Sequence, residues 1–368
     1  MKFVCSKETI LTEIIYSMDF TSQRNSLSIT SNVYLETYDD RLIIRATDQK
    51  LGFSTEIAVQ TLEEGKTTVF CEKLLNILRS LPDTNVIFSV TDGMFAIKPE
   101  SQSIDFKLRT IAADEFPNLE KPEDAPFFPI SQKAFIDMAN QTMFAISEDE
   151  TRYFLCGLYV ERNASGINMV ATDGRRLSLV ERNFEEELPM FPSVIIPTKF
   201  FTELKKLGTE EGVMELSIGE NLLFAKIGQR TFYTTLIKGQ YPNYRRVIPD
   251  SQNYCCTMRI QDMLDALKRV SLLVENKAKR IFLDISEAGV LLTSDESEAG
   301  EAKEIIPCQY EGPDSKVSLN YTYLLNPLKV MEGEYFSINF TEPTKAMKVK
   351  PESNRDYYHI IMPMQPNA

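Results

Sequence analysis

The sequence predicts an α+β protein of three repeated domains, each with two helices packed on antiparallel sheets. The repeat shows in two tetrapeptides. RATD (45–48) returns as VATD (170–173), and EFPN (115–118) returns as QYPN (240–243), in both cases 125 residues later. A fixed period of this kind marks a repeated structural unit. A fainter third copy carries LLTSD (291–295) at the corresponding place. The domains are therefore predicted at 1–121, 122–252 and 253–368.

Each predicted domain holds two segments with the apolar spacing of an amphipathic helix. In the first domain, for example, Leu74, Leu75, Leu78 and Leu81 recur on one helical face. Pro327 lies inside the sixth segment, where it removes a backbone donor, so this helix should be kinked or begin late. The six helices are predicted at 7–18, 71–81, 131–143, 197–207, 260–271 and 320–331.

Short runs with the alternation of half-buried strands separate the helices, among them RLIIRAT, MELSIGENLLFAKI and RIFLDISEAGVLLT. Turn residues such as DG, GE and EAG close them into hairpins. In SIDFKLRTI (103–111), Ile104, Phe106 and Leu108 alternate with charged residues. An exposed edge strand of this kind needs a partner.

Composition limits the functional classes. Hydrophobic residues make up 43% and charged residues 25% of the 368 positions, as in a globular protein. No apolar run approaches the roughly 18 residues of a membrane span, and Glu8 and Glu13 interrupt the apolar N-terminus, unlike a signal peptide. The six cysteines show no CxxC and no metal-ligand spacing. We expect reduced thiols in a cytoplasmic protein with no membrane partner.

His359 is the only histidine in the chain. Any mechanism with a histidine base, a Ser/His or Cys/His pair, or several histidine ligands must use this one residue. Most hydrolase and metalloenzyme readings are therefore weakened, and we predict no catalytic residue, no cofactor and no metal. Carboxylate pairs remain available to an enzyme.

The net charge of −13 argues by itself against a nucleic-acid partner. The predicted helices differ from the rest, since they contain ten Lys or Arg and only seven Asp or Glu. Lys73, Arg79, Lys268 and Arg269 lie off the apolar stripes. For any single helix this indicates an ordinary solvated face. If all six helices shared one side, however, that side would be mildly basic.

Five motifs together resemble the bacterial DNA polymerase III β subunits, the sliding-clamp family. They are TRYFLCGL (151–158), ATDGRRL (171–177), DEFPNL (114–119), GQYPNYRRVIP (239–249) and IIMPM (360–364). The resemblance covers essentially the whole chain. It implies the DNA clamp fold, a ring-shaped homodimer with sheets outside and helices inside that encircles double-stranded DNA without sequence preference. It also implies a non-catalytic processivity factor that tethers the DNA polymerase III α subunit, the clamp loader δ subunit and other proteins with a clamp-binding motif.

Asp173-Gly174 predicts a type I′ hairpin turn, and the residues alone indicate no more than that. The resemblance makes this hairpin one wall of a hydrophobic groove for short linear peptides, with Arg176 and Arg246 fixing their register. A frayed C-terminal tail is the alternative for Met362 and Met364. The implied groove residues are Leu155, Thr172, Gly174, Arg175, Arg176, Leu177, Pro242, Arg246, Val247, Asn320, Tyr323, Ile360, Met362, Pro363 and Met364.

This groove departs from the family pattern at two places. The family often has His where Arg175 stands, and it usually ends soon after MPM with a basic residue, where this chain continues with Gln365. We therefore expect the charge of the groove and the shape of its open end to differ from those of the family.

For DNA, the resemblance points to Arg24, Arg152 and Tyr153 beside the central hole. Asp149 stands at a family position that is usually uncharged, so we expect loose contact, which suits a clamp that slides. On spacing alone these are ordinary loop residues.

For the dimer, the resemblance places the strand with Ile104, Phe106 and Leu108 against the third domain of the other subunit. The contact lies near Leu272 and Leu273, with the acidic run 295–304 close by. Such a head-to-tail contact made twice closes a two-fold ring.

Two other functional classes stay open on the residues alone. An enzyme could use the carboxylates of Asp48, Asp173 and Asp295, although all three are repeat-equivalent turn residues. A repeat-built scaffold could bind proteins without binding DNA. Retention on closed circular DNA separates such a scaffold from a clamp.

Overall fold

The computed structural model describes residues 1–22, 28–122, 124–184, 188–209, 211–275, 277–296, 300–353 and 356–365. The chain divides into two compact units. Unit 1 is Met1–Ala134 with Lys199–Leu236, and unit 2 is Phe135–Thr198 with Ile237–Ala368. Each unit therefore combines one complete predicted domain with part of the second.

All six predicted helices are present, within a few residues of the predicted bounds. The sixth is the shortest: it begins at Thr322, two residues after the predicted start, and Pro327 lies in its last turn. The helices are α1 Lys7–Phe20, α2 Cys71–Ser80, α3 Gln132–Thr142, α4 Thr198–Leu207, α5 Ile260–Val270 and α6 Thr322–Leu328. None of these described helices is long and apolar enough to cross a membrane.

The strands follow the predicted alternation, with buried side chains at every second position throughout β19 and over Leu42–Ala46 of β3 and Val86–Phe88 of β7. In chain order they are β1 Lys2–Ser6, β2 Asn32–Tyr38, β3 Arg41–Thr47, β4 Leu51–Ala58, β5 Gln60–Glu63, β6 Gly65–Phe70, β7 Asn85–Thr91, β8 Met94–Pro99, β9 Phe106–Ile111, β10 Phe128–Ser131, β11 Gly157–Arg162, β12 Gly166–Thr172, β13 Arg176–Asn183, β14 Val194–Pro197, β15 Val213–Ile218, β16 Leu222–Ile227, β17 Arg230–Thr235, β18 Tyr254–Arg259, β19 Arg280–Ser286, β20 Gly289–Ser294, β21 Lys303–Ile306, β22 Gln309–Tyr310, β23 Ser315–Asn320, β24 Tyr335–Phe340, β25 Met347–Pro351 and β26 Tyr357–Ile361.

Unit 1 contains one 13-stranded sheet, in the order β10-β15-β16-β17-β4-β3-β2-β6-β9-β8-β7-β1-β5. Unit 2 contains a nine-stranded sheet, β14-β11-β12-β13-β26-β25-β24-β18-β22, and a four-stranded sheet, β21-β20-β19-β23. Antiparallel pairing joins one repeat to the next at β4–β17 in unit 1 and at β13–β26 in unit 2. These joints explain why the compact units cut across the sequence repeats.

The strand predicted at 103–111 is partly an edge strand. It begins at Phe106, so Ile104 precedes it. Residues 106–109 pair with β8, whereas β6 pairs only with Thr110 and Ile111. Among the described residues, the other side of the 106–109 stretch has no strand partner. Ile104, Phe106 and Leu108 all pack against the core of unit 1, as their alternation predicted.

The hairpin between β12 and β13 corrects one prediction. Thr172 pairs with Leu177, which leaves a four-residue loop instead of a two-residue type I′ turn. Only Gly174 has a positive φ in this loop, at 87°. The Asp173 carboxylate accepts the backbone N–H groups of Arg175 at 2.8 Å and Arg176 at 3.0 Å, so a side chain supplies the turn geometry.

The repeat-equivalent hairpin between β3 and β4 uses the same device. There the Asp48 carboxylate accepts the N–H groups of Lys50 at 2.9 Å and Leu51 at 2.7 Å. The second oxygen of Asp48 pairs with Lys199 at 2.9 Å. Because both oxygens are occupied by structural partners, turn chemistry explains this acid better than catalysis does.

Candidate functional site

A pocket of about 270 Å³ lies in unit 2. Ten of the fifteen predicted groove residues line it, and all ten come from unit 2. Asn243 and Tyr244 also line it and were missed. The full lining is Leu155, Thr172, Gly174, Arg175, Arg176, Leu177, Pro242, Asn243, Tyr244, Val247, Ile360 and Met362.

The pocket has an apolar floor and an apolar rim. Leu155, Leu177 and Ile360 are buried and belong to one hydrophobic cluster that forms the floor. Val247 and Met362 are 51% and 43% exposed, so they offer apolar surface that the chain itself leaves uncovered. A floor of this kind with an adaptable methionine at the rim suits a leucine or aromatic side chain.

The C-terminal segment is held in place by backbone hydrogen bonds. Met362 donates its N–H to the Arg175 carbonyl at 3.0 Å, and Met364 donates to the Ser318 carbonyl at 2.7 Å. The first bond joins the tail to the β12–β13 loop, about 190 residues earlier in the chain. A frayed tail is therefore the wrong interpretation for residues 362–364.

Arg176 is occupied by internal partners. Its Nε donates to Asp173 Oδ2 at 3.0 Å, and Nη2 donates to the Phe144 carbonyl at 2.5 Å. Its guanidinium lies 4.9 Å from the centre of the Tyr323 ring, a cation–π distance. Arg176 thus braces the wall of the pocket, and its Nη1 is left without a hydrogen-bond partner within the described part of the chain.

His359 lies in the sheet next to this brace. Its Nδ1 shares a hydrogen bond of 2.7 Å with the Ser178 hydroxyl. Burial, with a smaller contribution from the Arg176 charge, lowers the pKa of His359 to about 3. The only histidine of the chain is therefore neutral at ordinary pH and fully enclosed, which disqualifies it as a general base.

Five predicted groove residues lie outside the lining. Asn320 uses its side chain to accept the Thr322 N–H at 3.0 Å at the start of α6, and Tyr323 stacks on Arg176. Arg246 is exposed on the turn that carries Val247, and Pro363 and Met364 follow Met362.

The missed residues stand in a motif that the sequence displays. Tyr244 and Val247 stand three residues apart, which places them on one side of a 3₁₀ turn, Tyr244–Val247. Tyr244 is buried, and Asn243 immediately precedes the turn. The spacing could have identified Tyr244, whereas Asn243 lines the pocket only because of the turn geometry.

Comparison with known proteins decides the family. Models of the DNA polymerase III beta subunit match at residues 1–120 for the N-terminal domain, 129–243 for the central domain and 245–365 for the C-terminal domain. The chain belongs to this family. It is a sliding clamp, a processivity factor of DNA replication and not an enzyme.

Curated and solved relatives agree along the full length. The beta sliding clamp of Treponema pallidum is 40% identical over 99% of this chain and 100% of its own. The Escherichia coli K12 clamp is 28% identical over the same shares. The crystal structure of the Pseudomonas aeruginosa subunit superposes with a TM-score of 0.93 at 27% identity, covering 99% of this chain and 100% of that one.

The predicted DNA contacts of this clamp are only partly described. Arg24 lies outside the described residues. Tyr153 is 54% exposed on a short 3₁₀ segment, Glu150–Leu155. Arg152 pairs with Asp149 at 3.0 Å, and hydrogen bonds from Thr151 and then from Arg152 lower the pKa of Asp149. Asp149 is thus ionised and partly neutralises the charge of Arg152.

Several basic side chains on the helices of the clamp are also paired. Arg269 pairs with Glu304, and Lys268 with Asp265 at 3.3 Å. These pairs reduce the free positive charge that the helix composition predicted. Because the pairs are exposed, the attraction within each pair is weak and easily screened, so a polyanion can compete for the Lys and Arg side chains.

The predicted dimer residues differ in exposure. Leu272 is 80% exposed, and its neighbour Leu273 is half-buried in the same short 3₁₀ turn, Ser271–Leu273. Ile305, on the edge strand β21 of the four-stranded sheet, is 62% exposed and was not predicted. The acidic run 295–304 lies partly outside the described residues, and within it Glu304 pairs with Arg269.

Proposed function

We propose that this clamp closes a head-to-tail homodimeric ring around duplex DNA and holds its partners by a peptide-binding groove at the pocket in unit 2. The observation that carries the proposal is the apolar pocket of about 270 Å³ with Val247 and Met362 half exposed at its rim. Unpartnered apolar surface arranged as a concave site is the usual mark of ligand binding.

The peptide is recognised chiefly by an apolar anchor. A leucine or aromatic side chain enters between Leu177 and Met362, the behaviour of an interface hot spot. Because Arg176 is already bound to Asp173, the register of the peptide depends on the exposed Arg175 and Arg246. The cations at these two positions favour peptides that present carboxylates, or backbone carbonyls free to accept hydrogen bonds, beside the apolar anchor. The proposed partners are the DNA polymerase III α subunit, the clamp loader δ subunit and other proteins with such a motif.

The ring contact joins two edges that the single chain leaves open. The free side of β9 at residues 106–109 would meet the region of Leu272, Leu273 and Ile305 of a second copy. Exposed apolar side chains beside an unpaired strand edge support this pairing. Two identical contacts of this kind close a two-fold ring.

Three further proposals follow from membership of the family. The domains divide at 1–121, 122–252 and 253–368, close to the limits of the three family matches. Arg24, Arg152 and Tyr153 make loose contact with DNA that passes through the ring. The protein works in the cytoplasm, where DNA replication takes place.

Topological retention tests the ring directly. The clamp is loaded by its clamp loader and ATP onto a nicked circular plasmid and then separated from free protein by gel filtration. We expect clamp to stay on the circle and to leave when one restriction cut makes the DNA linear. Equal retention on circular and linear DNA, or no retention on the circle, would refute the ring and leave the protein-binding scaffold as the explanation.

A further inference from the structure

The pocket wall formed by residues 242–247 has little backbone support. Its 3₁₀ turn is closed by two long hydrogen bonds, from Arg246 N to Asn243 O at 3.3 Å and from Ile248 N to Arg245 O at 3.3 Å. Asn243 gives no side-chain cap to the turn. Within the described sheets the segment belongs to no strand. Side chains must therefore set the distance of this wall from the rest of the pocket.

One buried carboxylate, Glu161 on β11, supplies this support. Its side chain is 10% exposed. Glu161 Oε1 accepts the Tyr244 hydroxyl at 2.5 Å and the Asn168 amide at 3.1 Å, and it also pairs with Arg245. Glu161 Oε2 accepts the Tyr159 hydroxyl at 3.2 Å. A single side chain thus collects four donors, which is close to the capacity of a carboxylate.

The donors belong to two different parts of the molecule. Asn168 and Tyr159 stand on the paired strands β12 and β11, which are part of the nine-stranded sheet. Tyr244 and Arg245 stand on the pocket wall. Glu161 is therefore a polar tie between the sheet and the wall.

The ionisation of Glu161 agrees with this role. Burial alone would raise its pKa, but the hydrogen bonds from Tyr244, Arg245 and Asn168 outweigh burial and leave the pKa below the ordinary value. The ionised form is the one that accepts from all four donors, and hydrogen bonds to a charged acceptor are the strong ones. The tie is thus fully formed at neutral pH.

We propose that Glu161 is a positioning residue for the peptide-binding groove: it never touches the peptide, and it fixes the pocket wall through Tyr244 and Arg245. The inference rests on the proposed function of the groove. Its consequence is that peptide affinity depends on a carboxylate outside the lining and on the tyrosine hydroxyl that donates to it.

The test compares five variants of the full-length clamp with wild type by calorimetry, using a synthetic peptide that carries the clamp-binding motif of the cognate polymerase α subunit. Glu161→Ala removes the tie, and we expect peptide affinity to fall about tenfold or more. Tyr244→Phe keeps the ring in the lining and removes only the hydroxyl, and we expect a loss of about three- to tenfold. Glu161→Gln keeps an acceptor for Tyr244 but loses the charge that pairs with Arg245, so its affinity should lie between those of Glu161→Ala and wild type.

The matched control is Glu334→Ala, which removes a carboxylate of unit 2 that pairs with Arg259 at 3.1 Å and is 61% exposed. It should leave peptide affinity unchanged. A double variant, Glu161→Ala with Tyr244→Phe, should bind no more weakly than Glu161→Ala alone, because both changes break one tie. Retention on circular DNA should be unaffected in every variant, since the ring contacts lie elsewhere.

The outcomes separate the two proposals. If wild type fails to bind the peptide, the groove function is wrong. If wild type binds the peptide, and Glu161→Ala and Tyr244→Phe bind it as tightly as wild type does, the groove function stands and the positioning role is refuted. Should Glu161→Ala not fold, Tyr244→Phe decides the matter, because it removes one oxygen and keeps the packing of the ring.

Discussion

Deleting residues 362–368 should weaken peptide binding by about 30-fold or more while leaving the fold and the dimer intact. The cut falls immediately after β26, which ends at Ile361, so the pairing of β26 with β13 and β25 is preserved. The deletion removes the rim side chain of Met362 and two backbone hydrogen bonds, to Arg175 and Ser318. It therefore takes away one wall of the pocket and loosens the opposite loop.

The expected loss can be estimated from exposure. Burying a whole methionine side chain contributes about 1.5–3 kcal/mol, and Met362 is 43% exposed, so covering it with a peptide contributes about 1 kcal/mol. The peptide side chain that faces it gains a similar amount. The sum of about 2 kcal/mol corresponds to a loss of about 30-fold in affinity. Loosening of Arg175 adds to this figure, so a peptide that binds wild type at micromolar concentration should bind the truncated clamp no more tightly than at tens of micromolar.

Isothermal titration of the truncated clamp with the polymerase-derived peptide measures this loss. The control is a shorter truncation that removes only residues 366–368 and keeps Met362 and Met364. It should bind like wild type. Sedimentation of both proteins checks the dimer. Undiminished affinity after the longer truncation would show that the C-terminal residues are no part of the groove.

Two further predictions concern assembly and pH. Replacing Leu272 and Leu273 by Ala should shift the dimer toward monomers at sub-micromolar concentration, because each of two contacts loses apolar burial of about 2 kcal/mol or more; sedimentation equilibrium showing an unchanged dimer would contradict the proposed interface. Burial lowers the pKa of His359 from 6.5 to about 3 in the folded state, so the unfolded chain takes up the proton first as pH falls. The free energy of unfolding should therefore decrease below about pH 6.5, by up to about 1.4 kcal/mol per pH unit. Urea unfolding at pH 6.5 and pH 5 should show this loss of unfolding free energy in wild type and a smaller loss in His359→Gln. An equal change of unfolding free energy with pH in the two proteins would mean that His359 is not the group responsible.

Local pattern determined much of the fold. The spacing of Leu74, Leu75 and Leu78 identifies α2 because a helix that buries one face must repeat its apolar residues every three to four positions. The same reason holds for the other five helices. The recurrence of ATD 125 residues apart identified the repeat, and the family motifs identified the clamp. These are properties of neighbours in sequence, so no tertiary information was needed to find them.

Other features of the groove depend on residues that are far apart in the chain. Sequence pattern predicted a type I′ turn at Asp173-Gly174, but the Asp173 carboxylate and the pairing register of β12 with β13 produce a four-residue loop. Arg176 is predicted to fix a peptide, and only the structure shows that Asp173 and the Phe144 carbonyl already hold its Nε and Nη2. Hydrogen-bond capacity is visible in a sequence, whereas the partner that uses it is a matter of three-dimensional position.

The sequence alone determined which segments are helices, how often the unit repeats, and which family the motifs resemble. Only the tertiary structure decided that Leu155, Leu177, Tyr244 and Met362 meet around one pocket, and that Glu161 lies behind it with four donors. The physical reason is that burial and polar pairing arise from contacts between strands and loops tens to hundreds of residues apart. Local periodicity shows which face of an element is buried, and only the folded chain shows what that face is buried against.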